Sequence, residues 1–245
     1  MSAPLLSAAG LTRTYAAGAE RVVGVREATL ALAAGELAVL AGPSGSGKTT
    51  LLNLLGLLDR PDEGRLELLG EDVSRLDDRG RARLRREKLG FVFQSHQLVP
   101  VLTAGENVAL ALWIRGLPEA ECRGRARAAL ASVGLAGMEG RRPDAMSGGQ
   151  RQRVAVARAI VGEPALVLAD EPTASLDSIA QARILDLLAR EHRRAMLFVS
   201  HDPAVLYRMT DRIVVLRQGA VVEQGLEDPY ARGLLAACRS MGGGE

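Results

Sequence analysis

One eight-residue loop restricts the possible folds of this chain more than any other feature. It matches the phosphate-loop pattern G-x-x-x-x-G-K-[ST] and reads Gly42-Pro43-Ser44-Gly45-Ser46-Gly47-Lys48-Thr49. The apolar run Leu37–Leu40 precedes the loop, and the apolar stretch Thr49–Leu58 follows it. Glycines let backbone N–H groups turn toward a phosphate chain, and the start of the next helix adds further N–H groups. The pattern predicts a strand–loop–helix unit in which Lys48 reaches the β- and γ-phosphates and Thr49 ligates Mg²⁺.

Lys48 is also unusual because the chain contains almost no other lysine. Of the 31 basic residues, 29 are arginine, and only Lys48 and Lys88 are lysine. The two residue types differ most where a compact point charge must fit a narrow backbone pocket, as in a phosphate loop. The retained lysine therefore favours phosphate binding over a glycine-rich turn with a chance basic residue.

A second motif is the apolar run Ala165–Ala169, which ends in Asp170 and Glu171. Such a run predicts a buried strand of a parallel sheet, and ligands of open α/β sheets bind at the carboxyl ends of these strands. We expect Asp170 to hold Mg²⁺ and Glu171 to polarise the water that attacks the γ-phosphate. Taken alone, the motif also fits an ordinary acidic turn after a strand.

Short aliphatic runs alternate with amphipathic stretches along the chain, which predicts an α/β domain. Predicted strands are Leu37–Leu40, Gly90–Phe93, Ala165–Ala169, Met196–Ser200, Arg212–Leu216 and Ala220–Val222, with weaker candidates at Leu5–Tyr15 and Val22–Leu32. Predicted helices are Lys48–Leu58, Asp78–Glu87, Gly105–Ile114, Glu119–Val133, Gln150–Val161, Ile179–Glu191 and Ala204–Met209. Gln218-Gly219 predicts a hairpin between the last two strands. Residues 95–162 contain only helical patterns, which predicts a helical subdomain inserted into the sheet.

The composition excludes several classes of protein. The net charge is +2, and the basic stretch Arg79–Lys88 is more typical of a solvated helix, so we expect no nucleic-acid partner. The chain has no run of about 18 apolar residues, and Met1–Leu11 lacks the pattern of a signal peptide. Cys122 and Cys238 have no metal-ligand spacing. We expect a soluble protein of a reducing compartment.

A third motif, Ser147-Gly148-Gly149-Gln150, follows Met146 and leads into a predicted helix. It is a second glycine-rich anion-binding site at a helix N-terminus, whereas a simple nucleotide-binding switch protein needs only one. With this motif the chain resembles the ATP-binding-cassette (ABC) family, whose signature usually reads L-S-G-G-Q. Met146 replaces the usual leucine, a mild apolar exchange. The resemblance covers the chain from about Leu5 to Gly225.

The resemblance implies further site residues. Gln94 looks like the family's glutamine loop, which contacts Mg²⁺ and faces a membrane partner. Ser175-Leu176-Asp177 looks like the D-loop, and His201 looks like the switch histidine that hydrogen-bonds the γ-phosphate. Tyr15 occupies the position of the aromatic residue that stacks on adenine. Thr50, directly after the phosphate loop, joins the implied nucleotide contacts.

The resemblance also implies an architecture and an assembly. The implied fold is a P-loop NTPase core with a mostly parallel sheet (about 1–94 and 163–225), an N-terminal antiparallel β subdomain and an inserted helical subdomain (about 95–162). We expect one domain over residues 1–240 and a flexible tail at 241–245. Two copies are implied to enclose two ATP molecules, each between the phosphate loop of one chain and Ser147–Gln150 of the other. Integral-membrane permease subunits would hold this homodimer at the cytoplasmic face of the inner membrane.

Three stretches resemble one branch of the family, which serves lipoprotein release and macrolide efflux: Leu51–Pro61, Gln94–Val108 and Leu168–Thr173. The cell-division subunit of that branch is also similar. The tail after Gly219 instead resembles subunits of peptide importers. Cassette proteins of translation or DNA repair resemble tandem cassettes or carry long coiled coils, and neither feature occurs here. The transported substrate stays open, because its contacts lie in the permease.

Overall fold

A computed structural model describes residues 3–18, 20–173, 176–190, 194–200, 212–224 and 233. Its strands are β1 (Leu6–Ala17), β2 (Glu20–Leu32), β3 (Leu37–Ala41), β4 (Glu63–Leu68), β5 (Glu71–Asp72), β6 (Leu89–Val92), β7 (Leu166–Asp170), β8 (Ala195–Val199), β9 (Ile213–Arg217) and β10 (Ala220–Gln224). Its α-helices are α1 (Lys48–Leu55), α2 (Asp78–Lys88), α3 (Ala104–Trp113), α4 (Glu119–Ser132), α5 (Gly148–Ile160) and α6 (Ser178–Arg190). A 3₁₀ turn covers Pro143–Ala145. The predicted helix Ala204–Met209 lies outside the described residues.

The chain divides into two compact units. The first unit comprises Met1–Ala82 and Ala195–Glu245, and the second comprises Arg83–Arg194. The α/β class expected from the sequence is confirmed, because buried parallel strands and helices occur together in the chain. The phosphate loop belongs to the first unit, whereas Gln94, the signature motif and the acidic pair belong to the second.

The first unit contains an antiparallel sheet with the strand order β2-β1-β4-β5. Leu6 of β1 pairs with Leu32 of β2 on one side and with Leu68 of β4 on the other. The sequence patterns indicated β1 and β2 but missed β4 and β5. Charged residues fill the solvent-facing positions of β4, so its apolar signal is reduced to Leu66 and Leu68, and β5 has only two residues. Strand β4 forms because β1 offers it an edge to pair with, and β5 pairs in turn with β4.

The same unit contains the strands β10, β9, β3 and β8, in that order. Strand β3 pairs in parallel with both β8 and β9, and its residues Ala38–Ala41 are completely buried. Strands β9 and β10 form the predicted hairpin, which the structure confirms. Its turn residues Gln218 and Gly219 have φ angles of 48° and 82°. Two successive positive φ angles are typical of the type I′ turn that matches the twist of a hairpin.

The second unit combines the parallel pair β6 and β7 with the helices α3, α4 and α5, which contact one another. Leu112 of α3 and Leu130 of α4 are completely buried, as is Cys122, a free thiol whose pKa is raised by burial. The guanidinium of Arg115 donates to the carbonyl oxygens of Arg86, Glu87 and Gly162. These bonds satisfy main-chain acceptors that helix ends leave unpaired.

Candidate functional site

The phosphate loop connects β3 to α1, and its backbone requires glycine at two positions. Gly42 and Gly47 have φ angles of 152° and 101°, which other residues rarely adopt. A Cβ atom on Gly42 would collide with the carbonyl oxygen of Leu216, and one on Gly47 would collide with that of Gly24. The loop is therefore held tightly between neighbouring backbone segments.

Polar groups line the inside of this loop. The ammonium of Lys48 donates to the carbonyl oxygens of Gly42 and Pro43, both at 2.8 Å. Ser46 is only 3% exposed, and its Oγ atom has no hydrogen-bond partner within the described part of the chain. A buried hydroxyl normally has a partner, so this one indicates a ligand with oxygen acceptors. With the N–H groups at the start of α1, the loop therefore fits a phosphate chain.

Tyr15 lies beside the first turn of α1. A Cβ atom on Gly24 would approach Cε2 of Tyr15 to 2.8 Å and Cγ2 of Thr50 to 2.9 Å, so only glycine at position 24 lets these side chains come so close. The tyrosine is 36% exposed. The structure thus brings Tyr15 and Thr50, two of the predicted site residues, together next to the phosphate loop.

A charged network surrounds the hydroxyl of Tyr15. This hydroxyl donates to Oδ2 of Asp59 at 2.8 Å, and Arg13 donates its Nε–H to the same oxygen at 2.9 Å. Partial burial opposes ionisation of Asp59, but the bonds from Tyr15, the Arg60 N–H and Arg13 outweigh it and lower the pKa of this carboxyl. The pKa of the Tyr15 phenol is raised, first by burial and then by its bond to Asp59. The network therefore keeps Asp59 charged and Tyr15 neutral.

Gln94 and the acidic pair follow neighbouring strands of the second unit. Val92 of β6 pairs with Ala169 of β7 in parallel, so Gln94 and Glu171 each come two residues after a paired position, at the same edge of this strand pair. Gln94 is exposed, whereas Asp170 and Glu171 are half-buried. Glu171 has a φ angle of 49°. A residue other than glycine pays for this left-handed conformation, and such strain concentrates at functional sites.

The signature motif forms the N-terminus of α5. Ser147 is the cap residue, and its Oγ accepts from the N–H of Gln150 at 3.2 Å, while the Gln150 side chain accepts from the N–H of Ser147 at 3.0 Å. Such a capping box satisfies two N–H groups of the first turn. Met146, which replaces the usual leucine, is 4% exposed. The exchange of leucine for methionine therefore changes a contact in the core.

Two residues of α5 that the sequence analysis did not single out, Gln152 and Arg158, connect this helix to the segments after β6 and β7. Gln152 is 1% exposed, contacts His96 through its side chain, and donates to the carbonyl of Pro172, next to Glu171, at 2.8 Å. Arg158 donates to the carbonyls of His96 and Gln97. The signal was present: Gln152 stands on the buried face of α5 with Val156 and Ala159, at helical spacing. A polar residue on such a face needs a specific partner.

The structure describes only some of the remaining predicted residues. Asp177 accepts from the N–H of Ala180 at 2.8 Å and so caps the start of α6. Leu176 is half-buried. Ser175 and His201 lie outside the described residues.

Comparisons with known proteins point to one family. The family model described as ABC transporter matches residues 25–174. The lipoprotein-releasing system ATP-binding protein LolD of Pseudomonas fluorescens is 46% identical over 221 residues, which cover 89% of this chain and 97% of that protein. The macrolide export ATP-binding/permease protein MacB of Chromobacterium violaceum is 41% identical over 224 residues, but the matched part is only 35% of its length.

A solved structure is similar over almost the same range. The dimeric post-hydrolysis state of the ATP-binding cassette MJ0796, bound to ADP and Pi, has a TM-score of 0.86 and 37% sequence identity, and the match covers 91% of this chain and 99% of that one. Among the helices that the structure describes, none is both long and apolar enough to cross a bilayer.

Proposed function

Because this chain belongs to the ABC transporter family of ATPases, we propose that it powers a transporter of the lipoprotein-releasing or macrolide-exporting type. The observation that carries this proposal is the 46% identity to LolD across 97% of that protein's length. The chain would work as a homodimer at the inner membrane, bound to integral-membrane permease subunits. Co-purification from its native membrane tests this assembly, because a permease with few spans and a large extracytoplasmic domain would be recovered. A pair of many-span permeases would instead indicate an importer.

The first unit carries the residues proposed to bind the phosphates and the base of ATP. Lys48 neutralises charge on the β- and γ-phosphates, and N–H groups of the loop and of the first turn of α1 donate to their oxygens. The hydroxyl of Ser46, which has no partner within the described chain, gains an acceptor there. Tyr15 stacks on the adenine, since it lies beside Thr50 in the first turn of α1.

The second unit carries residues proposed for hydrolysis, Asp170 and Glu171 among them. Thr49, Asp170 and Gln94 are the residues proposed to hold Mg²⁺, which would neutralise charge on the phosphate oxygens. Glu171 accepts a proton from the attacking water, because a carboxylate beyond the metal ligand can act as a general base. His201 donates a hydrogen bond to the γ-phosphate.

A homodimer explains why the chain carries two anion-binding sites, the phosphate loop and the signature motif. We propose that Ser147 faces the γ-phosphate bound by the partner subunit. Its capping bond uses the oxygen as an acceptor, and a hydroxyl keeps one O–H donor beside its lone pairs. The same side chain can therefore cap α5 and donate to a phosphate oxygen at once.

The two roles of Ser147 can be separated by substitution. We expect Ser147→Asp to keep the cap, and so the melting temperature, but to block ATP-dependent dimerisation by charge repulsion. Ser147→Ala should lose both roles and cost about 1 kcal/mol, or about 2–4 °C in melting temperature. Thr103→Ala removes the matching capping box of α3 and should cost similar stability without affecting dimerisation. Analytical ultracentrifugation with ATP measures the dimerisation of each variant. Normal dimerisation of Ser147→Asp would refute the placement of Ser147 at the partner's γ-phosphate.

A short loop after Gln94 has the features of a docking surface for the permease. Val101 at its tip is 73% exposed. The loop is nevertheless fixed, because the buried amide of Asn107 bonds the carbonyls of Val99, Leu102 and Thr103 as well as the N–H of Val99. A partner can bury an exposed apolar side chain on a fixed loop without the entropic cost of ordering that loop.

Replacing Val101 should separate assembly from catalysis. We expect Val101→Asp to reduce co-purification of the permease at least about tenfold, since burying a carboxylate without a partner is costly. The ATPase rate of the isolated chain should not change. Leu69→Asp is the matched control, because Leu69 is also exposed (48%) but lies between β4 and β5. Equal recovery of the permease with both variants would place the docking surface elsewhere.

A further inference from the structure

The strand that carries Tyr15 is joined to the segment after α1 by a chain of side-chain bonds. Arg13 precedes Tyr15 by two residues on β1, whereas Asp59 and Asp62 lie 46 and 49 residues away from Arg13. One oxygen of Asp59 receives both the Tyr15 hydroxyl and the Arg13 Nε–H, at 2.8 and 2.9 Å. The tyrosine is therefore held at its hydroxyl by a carboxylate that a neighbouring guanidinium also fixes.

Each partner of this network is itself anchored. The other carboxylate oxygen of Asp59 accepts from the N–H of Arg60 at 2.7 Å. The main-chain carbonyl of Asp59 accepts from the guanidinium of Arg81. Arg13 donates from Nη1 to Asp62 at 2.7 Å, and Asp62 accepts in addition from the N–H of Thr14 at 2.8 Å. Arg13 is thus bound to a carboxylate at both ends of its guanidinium plane, and it has little freedom to rotate.

The guanidinium of Arg13 also lies over the ring of Tyr15, with its Cζ 5.0 Å from the ring centroid. A cation over an aromatic face is attracted to it. Contact with Gly24 confines one edge of the ring. The tyrosine is still 36% exposed, so ring surface is left for a further planar group.

From these contacts we infer that Asp59 and Arg13 are positioning residues, which fix the ring of Tyr15 so that its remaining surface stacks on the base of ATP. The inference rests on the stacking role of Tyr15 in the proposed function. A ring held in one orientation before binding loses no rotamer freedom when the base arrives, which improves affinity for the base. The lowered pKa of Asp59 agrees with this, because the charged carboxylate is the form that accepts both bonds.

The competing explanation is that the network only stabilises the fold by tying β1 to the segment after α1. The two explanations differ in which ligand is affected. A positioning role changes the binding of ATP but not that of inorganic tripolyphosphate, which lacks a base and needs only the phosphate loop. A purely structural role would change both alike.

The test measures the Kd of Mg·ATP and of Mg·tripolyphosphate by competition against a ribose-labelled fluorescent ATP. Tyr15→Ala should weaken ATP binding about fivefold to a hundredfold, the range found for base–aromatic stacking, and leave tripolyphosphate binding unchanged. Arg13→Gln and Tyr15→Phe should weaken ATP binding about two- to tenfold, with tripolyphosphate again unchanged. Tyr15→Phe removes a single oxygen and keeps the ring, so it carries the test should Arg13→Gln not fold.

A matched control and a double variant complete the design. Arg65 on β4 also binds two carboxylates, those of Glu67 and Asp72, but does not touch Tyr15, so Arg65→Gln should leave both Kd values unchanged. In a Tyr15→Ala background, Arg13→Gln should have no further effect on ATP binding.

The outcomes that would contradict the claims can be told apart. An effect of Arg13→Gln on ATP that persists without the ring, or equal weakening of both ligands, would overturn the positioning role. If Tyr15→Ala leaves the ratio of the two Kd values unchanged, the stacking role on which the inference rests is wrong. Failure of the unmodified chain to bind either ligand would refute the proposed nucleotide site itself.

Discussion

Replacing Glu171 by glutamine is expected to lower the rate of ATP hydrolysis about 10²- to 10⁴-fold, the range for loss of a general base. ATP should still bind, because the phosphate loop and Lys48 are unchanged. Glutamine has nearly the same shape as glutamate but does not take up a proton from water. Since hydrolysis would no longer remove the γ-phosphate, the variant should accumulate as a dimer with two ATP molecules enclosed.

Phosphate release and analytical ultracentrifugation measure these two effects on the same sample. Glu163→Gln is a suitable control, because Glu163 also has a positive φ angle (51°) and lies in the same unit but is bound to Arg125 at the surface. The control should hydrolyse ATP at the normal rate. A normal rate in Glu171→Gln would remove Glu171 from the mechanism, and the general base would have to be sought elsewhere.

Replacing Lys48 by alanine is expected to raise the Kd for ATP about tenfold to a hundredfold. This range corresponds to about 1.5–3 kcal/mol for a hydrogen bond to a charged group. The ammonium lies 2.8 Å from two carbonyl oxygens of the loop, so its position is set by the backbone. The rate of hydrolysis should fall as well, because fewer chains hold ATP. In addition, the γ-phosphate no longer has the lysine ammonium beside it to neutralise its negative charge.

Lys48→Arg gives a sharper version of the same test. A planar guanidinium does not fit a pocket shaped for a compact ammonium, so we expect it to lose affinity as well. The only other lysine provides the control, because Lys88→Arg at the end of α2 should leave the Kd unchanged. Equilibrium binding of a fluorescent ATP analogue checks all three variants. Normal affinity in Lys48→Arg would mean that charge alone, and not shape, matters at this position.

The sequence reveals those parts of the molecule whose cause is local. The phosphate loop is recognisable because its glycines, all within a few residues of Lys48, have φ angles that other residues rarely adopt. Strand β3 is recognisable because a strand buried on both faces is continuously apolar. The general fold class follows from the alternation of such runs.

Features that depend on distant partners could not be predicted. Strand β4 forms because β1 lies beside it, and its own charged residues give little strand signal. The contact of Arg13 with Asp59 joins residues 46 positions apart. No local pattern indicates the left-handed conformation of Glu171, since this angle arises where β7 ends against the turn at Pro172. The buried Gln152 could have been noticed, but its partners at His96 and Pro172 are visible only in the structure.

The bonds from Arg158 to the carbonyls of His96 and Gln97 give helix α5 a mechanical meaning. Arg158 and Ser147 lie near opposite ends of this unbroken helix, about 16 Å apart at a rise of about 1.5 Å per residue. A helix of this length behaves as a stiff rod. A displacement of the loop after Gln94 would therefore be passed on to Ser147, and in the proposed dimer closure around ATP would move the same loop in return. In the proposed assembly, this helix would connect the loop that docks on the permease to the serine that faces the partner's nucleotide.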